Sequence, residues 1–208
     1  MARLDSRRIE EPSSGYAASR SSGPDGANTR AKDGTMAYDI SVIRPEMRAE
    51  QVKSRGEGFS SERKAAIRKG LRTLHTLEIV ATNIYRYQIT SRPCALNTQL
   101  TVAMCNEMTH MQDFQTKLYE YGFKPRKLRW MYWIVGYAFG FGSRMLGYRR
   151  MLETGVWVET KAVHHYSQLL ADIDWDDETR VFIEKDQADE QGHVERWKGL
   201  LENPGATC

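Results

Sequence analysis

Two short motifs, Glu107-Met-Thr-His110 and Glu190-Gln-Gly-His193, constrain this chain more than any other feature. On an α-helix a Glu and a His three residues apart share one face, with Cβ atoms about 5–6 Å apart, so the pair can grip a single ion. One such motif is weak evidence, because Glu and His often decorate a solvated helix face. Two on separate helices are much stronger, and each here is preceded by an acid set in an apolar run. Glu78 lies within Leu77-Glu78-Ile79-Val80-Ala81 and Glu159 ends Val156-Trp157-Val158-Glu159. A carboxylate buried in such surroundings is costly unless a cation accompanies it. Glu107 follows Glu78 by 29 residues and Glu190 follows Glu159 by 31, so each half reads as a Glu helix, a turn and an ExxH helix. Glu159 follows His110 by 49 residues, enough for a crossover. Four carboxylates and two imidazoles then converge in a four-helix bundle, the arrangement of di-metal carboxylate proteins. Iron or manganese suits such an oxygen-rich, nitrogen-containing set better than zinc.

The rest of the pattern is helical. Ser61 stands before the first helix with Glu62 in its first turn, and Leu71, Leu74, Ile79 and Ile84 form the apolar stripe. That helix is predicted to end near Ile89, ahead of Ser91-Arg92-Pro93. A second is predicted from about Leu96 to Glu120, halted at Gly122, and a third from about Arg149 to Ala171. The last, capped by Asp174 or Asp176, continues to about Glu202. No strand-like alternation of useful length occurs, so the chain is all-α, with its bundle over residues 59–204.

Residues 1–58 differ in kind, being rich in Ser, Gly, Arg and Ala with almost no apolar periodicity, and are expected to be disordered. Their Arg and Ser content suggests an organelle transit peptide, but Asp5, Glu10, Glu11, Asp25 and Asp33 argue against one; Met36 is a second candidate start. A net charge of +3 without Lys/Arg runs speaks against a nucleic-acid partner. Three scattered cysteines, Cys94, Cys105 and Cys208, read as free thiols in a reducing compartment.

Several residues beside the motifs could support a metal site. Asn106 and Asp189 immediately precede the two motif glutamates and are placed to orient a ligand histidine through its outer ring nitrogen, the alternative being an ordinary polar helix surface. His75 shares the face of Glu78. His165 and Tyr166 lie six and seven residues after Glu159, about two turns along its face, and are candidates for a proton or electron relay, whereas His164 reads as an ordinary imidazole.

In these residues the chain resembles the demethoxyubiquinone hydroxylases, the COQ7 or clk-1 family of the ferritin-like superfamily, over about residues 65–202. Val158-Glu159-Thr-Lys-Ala-Val-His164-His165-Tyr166 is similar to the family's Glu plus His-His-Tyr motif, Glu107–His110 and Asp189–His193 to its two ExxH motifs, and Gly136-Tyr-Ala-Phe-Gly140-Phe-Gly142 to its middle segment. The family's Arg-x-Asp-His-Ala-Gly-Glu signature is only part-kept: Thr73-Leu-His75-Thr-Leu-Glu78 retains the His and Glu, so the resemblance specifies the metal core more tightly than the substrate. It implies a ferritin-like bundle holding two iron ions through Glu78, Glu107, His110, Glu159, Glu190 and His193, with Glu107 and Glu190 bridging and His165 and Tyr166 acting beside them. It implies O2-dependent hydroxylation of a polyprenyl quinone. No nucleotide-binding fingerprint is present, so electrons come from NADH, a separate reductase or the quinone itself. A peripheral position is implied, on the cytoplasmic face of the cell membrane or the matrix side of the mitochondrial inner membrane, with an accessory lipid-binding protein or a second copy as partner. The rival readings are a ferritin-like oxidase or peroxidase without a quinone, and a non-enzymatic membrane-associated helical module.

One segment remains. Trp130–Ser143 is uncharged, sits between Arg129 and Arg144 and follows Lys124, Arg126 and Lys127. At fourteen residues it is shorter than the roughly 20 a spanning helix needs. From the residues alone it is either a crossover helix packed on the bundle or an interfacial anchor, in which aromatics sit beside cations. The resemblance favours the anchor.

Overall fold

The computed structural model describes residues 52–203. Met36 and the rest of the expected extension up to residue 51 lie outside the described residues. Five helices follow in order: α1 Ser61–Gln88, α2 Ala95–Glu120, α3 Arg129–Met145, α4 Tyr148–Asp172 and α5 Asp177–Glu202. No strand occurs among the described residues. The first cap is Ser60, not Ser61, which is already the first helical residue. Ser60 Oγ accepts the Arg63 N–H at 3.2 Å, and Asp176, rather than Asp174, accepts the Thr179 N–H at 3.1 Å. After α2 the backbone turns at Gly122, φ 70°.

The expected ferritin-like bundle forms: α1 packs along α2 and α4 along α5, while α3 lies across α1. Its interior has two apolar cores. Leu71, Leu74, Phe114, Leu118, Tyr166 and Ile183 anchor one. Ile84, Tyr85, Leu100, Leu152, Met151 and Trp197 anchor the other. Each of the four long helices contributes to both, and on each the stretch between the two contributions carries the motif acids. Glu78 lies between Leu74 and Ile84, Glu107 between Ala103 and Phe114, Glu159 between Leu152 and Ala162, and Glu190 between Ile183 and Trp197. The cores therefore hold a belt of carboxylates between them and keep water away from it.

Helix α3 approaches α1 very closely because of Gly136 and Gly140, one turn apart. A Cβ on Gly140 would come within 2.4 Å of the Ile84 carbonyl oxygen, and one on Gly136 within 2.6 Å of the Val80 carbonyl oxygen. Tyr87 of α1 packs edge-on against Trp133 and Tyr137. Even so, Trp130, Trp133, Ile134, Tyr137, Phe139 and Phe141 keep much of their surface exposed. The segment is thus a crossover helix packed on the bundle, and it also presents an outward apolar face. No helix among the described residues is long and apolar enough to cross a membrane.

Residues 52–58, part of the stretch expected to be disordered, are tied to the bundle. The Arg55 side chain donates from Nε to Glu120 at 2.6 Å and from Nη1 to Asp176 at 2.8 Å, and the Arg55 N–H donates to the Glu120 carbonyl at 2.8 Å. The expectation of three free thiols fails at Cys94, which is disulfide-bonded, while Cys105 is free and exposed.

Candidate metal centre

The six side chains singled out in the sequence meet in the belt, all of them buried. Glu78, Glu107, His110 and Glu190 offer ligand atoms within 4.8 Å of one another, and so do Glu107, Glu159, Glu190 and His193. Glu107 and Glu190 belong to both groups, so the geometry is that of two adjoining cation sites sharing two carboxylates. Helical spacing produces this directly, because each ExxH helix turns its Glu toward the centre and its His toward one side.

Two further observations fit a cation there. His110 Nδ1 lies 3.0 Å from Glu190 Oε1, and His193 Nδ1 lies 2.8 Å from Glu107 Oε1, so each ring aims the same nitrogen inward. Yet both oxygens of Glu107, Oε2 of Glu159, Oε2 of Glu190 and Nδ1 of His193 are buried without a satisfied hydrogen bond. Glu107 Oε1 and His193 Nδ1, this close without bonding one another, are arranged as donors around a common ion. Unpaired polar atoms in such number are rare in a folded core. Hard carboxylate oxygens with two imidazole nitrogens match iron or manganese chemistry.

The electrostatics agree. Burial, reinforced by the neighbouring carboxylates, pushes Glu78 and Glu190 well above the ordinary carboxylate range. Burial opposes charging of His193, but Glu107 and Glu159 outweigh it and hold the imidazole at about 9. In turn the His193 partnership outweighs burial at Glu107 and lowers it. Four acids cannot all ionise in a dry belt unless positive charge joins them, so a metal entering must displace protons.

The outer nitrogens of both rings meet the residues that precede the motif glutamates. The Asn106 amide stands between them, 2.8 Å from His110 Nε2 and 3.3 Å from His193 Nε2. Asp189 Oδ2 lies 3.3 Å from His110 Nε2. His193 Nε2 donates to the Asn106 amide oxygen, while the Asn106 amide nitrogen donates to His110 Nε2, so one side chain orients both imidazoles from outside. Asp186, fully buried one turn before Glu190, sits 3.8 Å from the same His110 nitrogen, and burial pushes it up to about 8. Sequence reasoning missed Asp186; its place four residues before Glu190 was the available signal.

A second missed residue is Tyr85. Tyr166 of α4 donates its hydroxyl to Glu78 of α1 at 2.7 Å, and Tyr85 of α1 donates to Glu159 of α4. Each tyrosine stands seven residues after the acid on its own helix and serves the acid on the other. The pattern extends to the ExxH helices. Trp197, seven after Glu190, donates from Nε1 to Tyr85 Oη at 2.9 Å, and Phe114, seven after Glu107, packs on Tyr166 with ring centroids 5.9 Å apart. The Glu159–Tyr166 interval repeated at Glu78–Tyr85 would have revealed it.

His165 is half-buried beside His164 and lines a cavity of about 260 Å3 that reaches Glu78 between α1, α3 and α4. Val135, Phe139 and Trp157 form its apolar wall, and Lys161 its polar edge.

The family model described as ubiquinone biosynthesis protein COQ7 matches residues 65–199. The chain belongs to the COQ7 family. The matched span covers the four belt helices and α3, and so includes every residue of the metal centre described above. Among curated proteins no relative matches this family member.

Proposed function

We propose that the protein is a di-iron monooxygenase that hydroxylates the ring of a membrane quinone in ubiquinone-type biosynthesis. The observation that carries this reading is the pair of overlapping ligand groups sharing Glu107 and Glu190, in a chain of a ubiquinone biosynthesis family. Glu78, Glu107, His110, Glu159, Glu190 and His193 would hold the two irons, which when bound supply the reductive activation of O2.

The chain's own groups do the rest. Tyr85 and Tyr166 fix the carboxylates of Glu159 and Glu78 by hydrogen bonds, and the flanking cores exclude water from the belt. The cavity ending at Glu78 is large enough for a substituted ring, with Val135, Phe139 and Trp157 against its faces. His165 in its wall and Tyr166 at Glu78 are assigned to holding and moving the proton that the ring gives up. The exposed aromatic face of α3, flanked by Lys124, Arg126, Lys127 and Arg129, sets the cavity mouth at a lipid surface, where a polyprenyl tail stays in the bilayer. The protein then works peripherally, on the cytoplasmic face of a cell membrane or the matrix side of the mitochondrial inner membrane. A separate reductase or NADH supplies the electrons, and an accessory lipid-binding protein or second copy is the natural partner.

The test is mass spectrometry of the quinone pool in cells lacking the protein. A precursor lighter by one oxygen should accumulate and disappear on complementation with the wild-type gene but not with Glu107→Ala. An unchanged quinone pool would refute the substrate.

A further inference from the structure

Helix α3 leaves a second, larger cavity on the other flank of α1, about 910 Å3, walled by α1, α2 and the start of α3. None of the six cluster side chains lines it. Most of its wall is apolar: Ile79, Met104, Met108, Met111, Trp130 and Trp133. Set in that wall are two buried polar atoms of α1 without a hydrogen-bond partner, His75 Nδ1 and Thr82 Oγ1. Thr82 breaks the habit of other helical threonines. Thr76, Thr101, Thr109 and Thr160 each return the hydroxyl to the carbonyl one turn back, whereas the Thr82 hydroxyl makes no such bond. Unpaired buried groups of this kind are uncommon and call for a partner.

The two atoms also define what partner. Burial, helped by Arg129 and opposed by a hydrogen bond with Gln115, pushes His75 down to about 4, so its ring is neutral at physiological pH, with one nitrogen donating and one accepting and Nδ1 left unpaired. A hydroxyl likewise donates or accepts. His75 and Thr82 are seven residues apart, two turns, or about 10.5 Å along the axis. That is comparable to a ring with oxygens at opposite ends and a hydrogen bond of about 2.8 Å at each. Methionine sulfur and indole faces are good neighbours for such a ring.

We propose that this cavity is a second binding site, separate from the metal centre, for an oxygenated aromatic ring of the quinone or hydroquinone class. His75 and Thr82 bond oxygens at its two ends, and the methionines of α2 and tryptophans of α3 enclose it. Because both groups can donate or accept, the site takes the oxidised and the reduced ring alike. Arg86 and Arg129 are exposed and line the cavity toward solvent. An anionic chain would place its head at those cations and leave the interior atoms unpaired, which is why a ring is the better occupant. The evidence for this site does not depend on iron or on hydroxylation.

The test compares the purified full-length protein carrying Trp157→Phe with the same protein carrying Trp130→Phe and Trp133→Phe as well, so that the difference in quenching reports on Trp130 and Trp133 over the buried Trp175 and Trp197. Titration with decylubiquinone should quench the Trp130 and Trp133 part of the emission saturably. Thr82→Val, which preserves shape, and His75→Phe should each weaken binding about five-fold, the worth of one hydrogen bond. Thr82→Ser should bind as the parent. Decanoate should not displace the quinone. Equal binding by Thr82→Val, His75→Phe and the parent, or displacement by decanoate, would overturn the assignment. Failure of the hydroxylation reading would leave these isotherms as they are, so the two can fail separately.

Discussion

Replacing Tyr85 with Phe tests whether the crossed tyrosines work as described. The hydroxyl makes two buried bonds, one given to Glu159 and one accepted from Trp197 Nε1. Tyr85→Phe therefore removes a bond to a carboxylate, worth about 1.5–3 kcal/mol, and strands a buried indole donor at a further cost of about 1–3 kcal/mol. Tyr166→Phe loses only the bond to Glu78, because its aromatic neighbour Phe114 has no donor to strand. The expected order is thus Tyr85→Phe more destabilising than Tyr166→Phe by about 1–3 kcal/mol. A double-mutant cycle with Trp197→Phe isolates the difference. Trp197→Phe should cost less in the Tyr85→Phe background than in the wild type, with a coupling of about 1 kcal/mol or more. Denaturant unfolding of the metal-loaded protein, followed by helical circular dichroism, provides the numbers. Equal losses from the two tyrosine variants, with strictly additive Trp197→Phe, would refute the reasoning.

Three further outcomes follow from other parts of the molecule. Gly140→Ala puts a Cβ against the Ile84 backbone and should destabilise by about 1–3 kcal/mol. Gly142→Ala, with nothing within 4 Å, should instead gain about 0.5–1 kcal/mol, and the same melting experiment separates them. The Arg55 clamp predicts a pH dependence: burial opposes charging of Glu120, but Lys117 and Arg55 outweigh it and hold its pKa below 4.5. A depressed acid contributes stability above its unfolded pKa and loses it as pH falls through the folded value. Wild-type protein should therefore lose stability below about pH 4.5 more steeply than Arg55→Ala, and parallel curves would contradict the clamp. If α3 is the lipid contact, Trp130→Asp with Trp133→Asp should release the protein from anionic liposomes in a flotation assay, while unchanged co-flotation would remove the contact.

Much of this was legible because helical chemistry is local. The two ExxH motifs and the acids in apolar runs are spaced by the turn of a helix, so their meeting in one belt could be read from intervals alone. Asn106 and Asp189 were placed by adjacency to the motif glutamates, and both reach the histidines. What stayed hidden depends on partners far apart in sequence. The exchange of Tyr85 and Tyr166 across α1 and α4 spans 74 and 88 residues, and its one local trace is the seven-residue interval that follows both Glu78 and Glu159. The closeness of α3 to α1 arises from two glycines, whose role shows only when the Ile84 and Val80 carbonyls are seen against them. The composition of residues 52–58 suggested disorder because the acids that tie Arg55 down sit on α2 and before α5.

The central claim is that four helices build one site for two metals around shared carboxylates. Iron content of the purified full-length protein measures it most directly. About two irons per chain are expected, and Glu190→Ala, which removes a carboxylate common to both ligand groups, should bring the content close to zero while the helical spectrum persists. A Glu190→Ala protein that keeps its full iron, or a wild-type protein that takes up none when reconstituted anaerobically with ferrous ion, would contradict it.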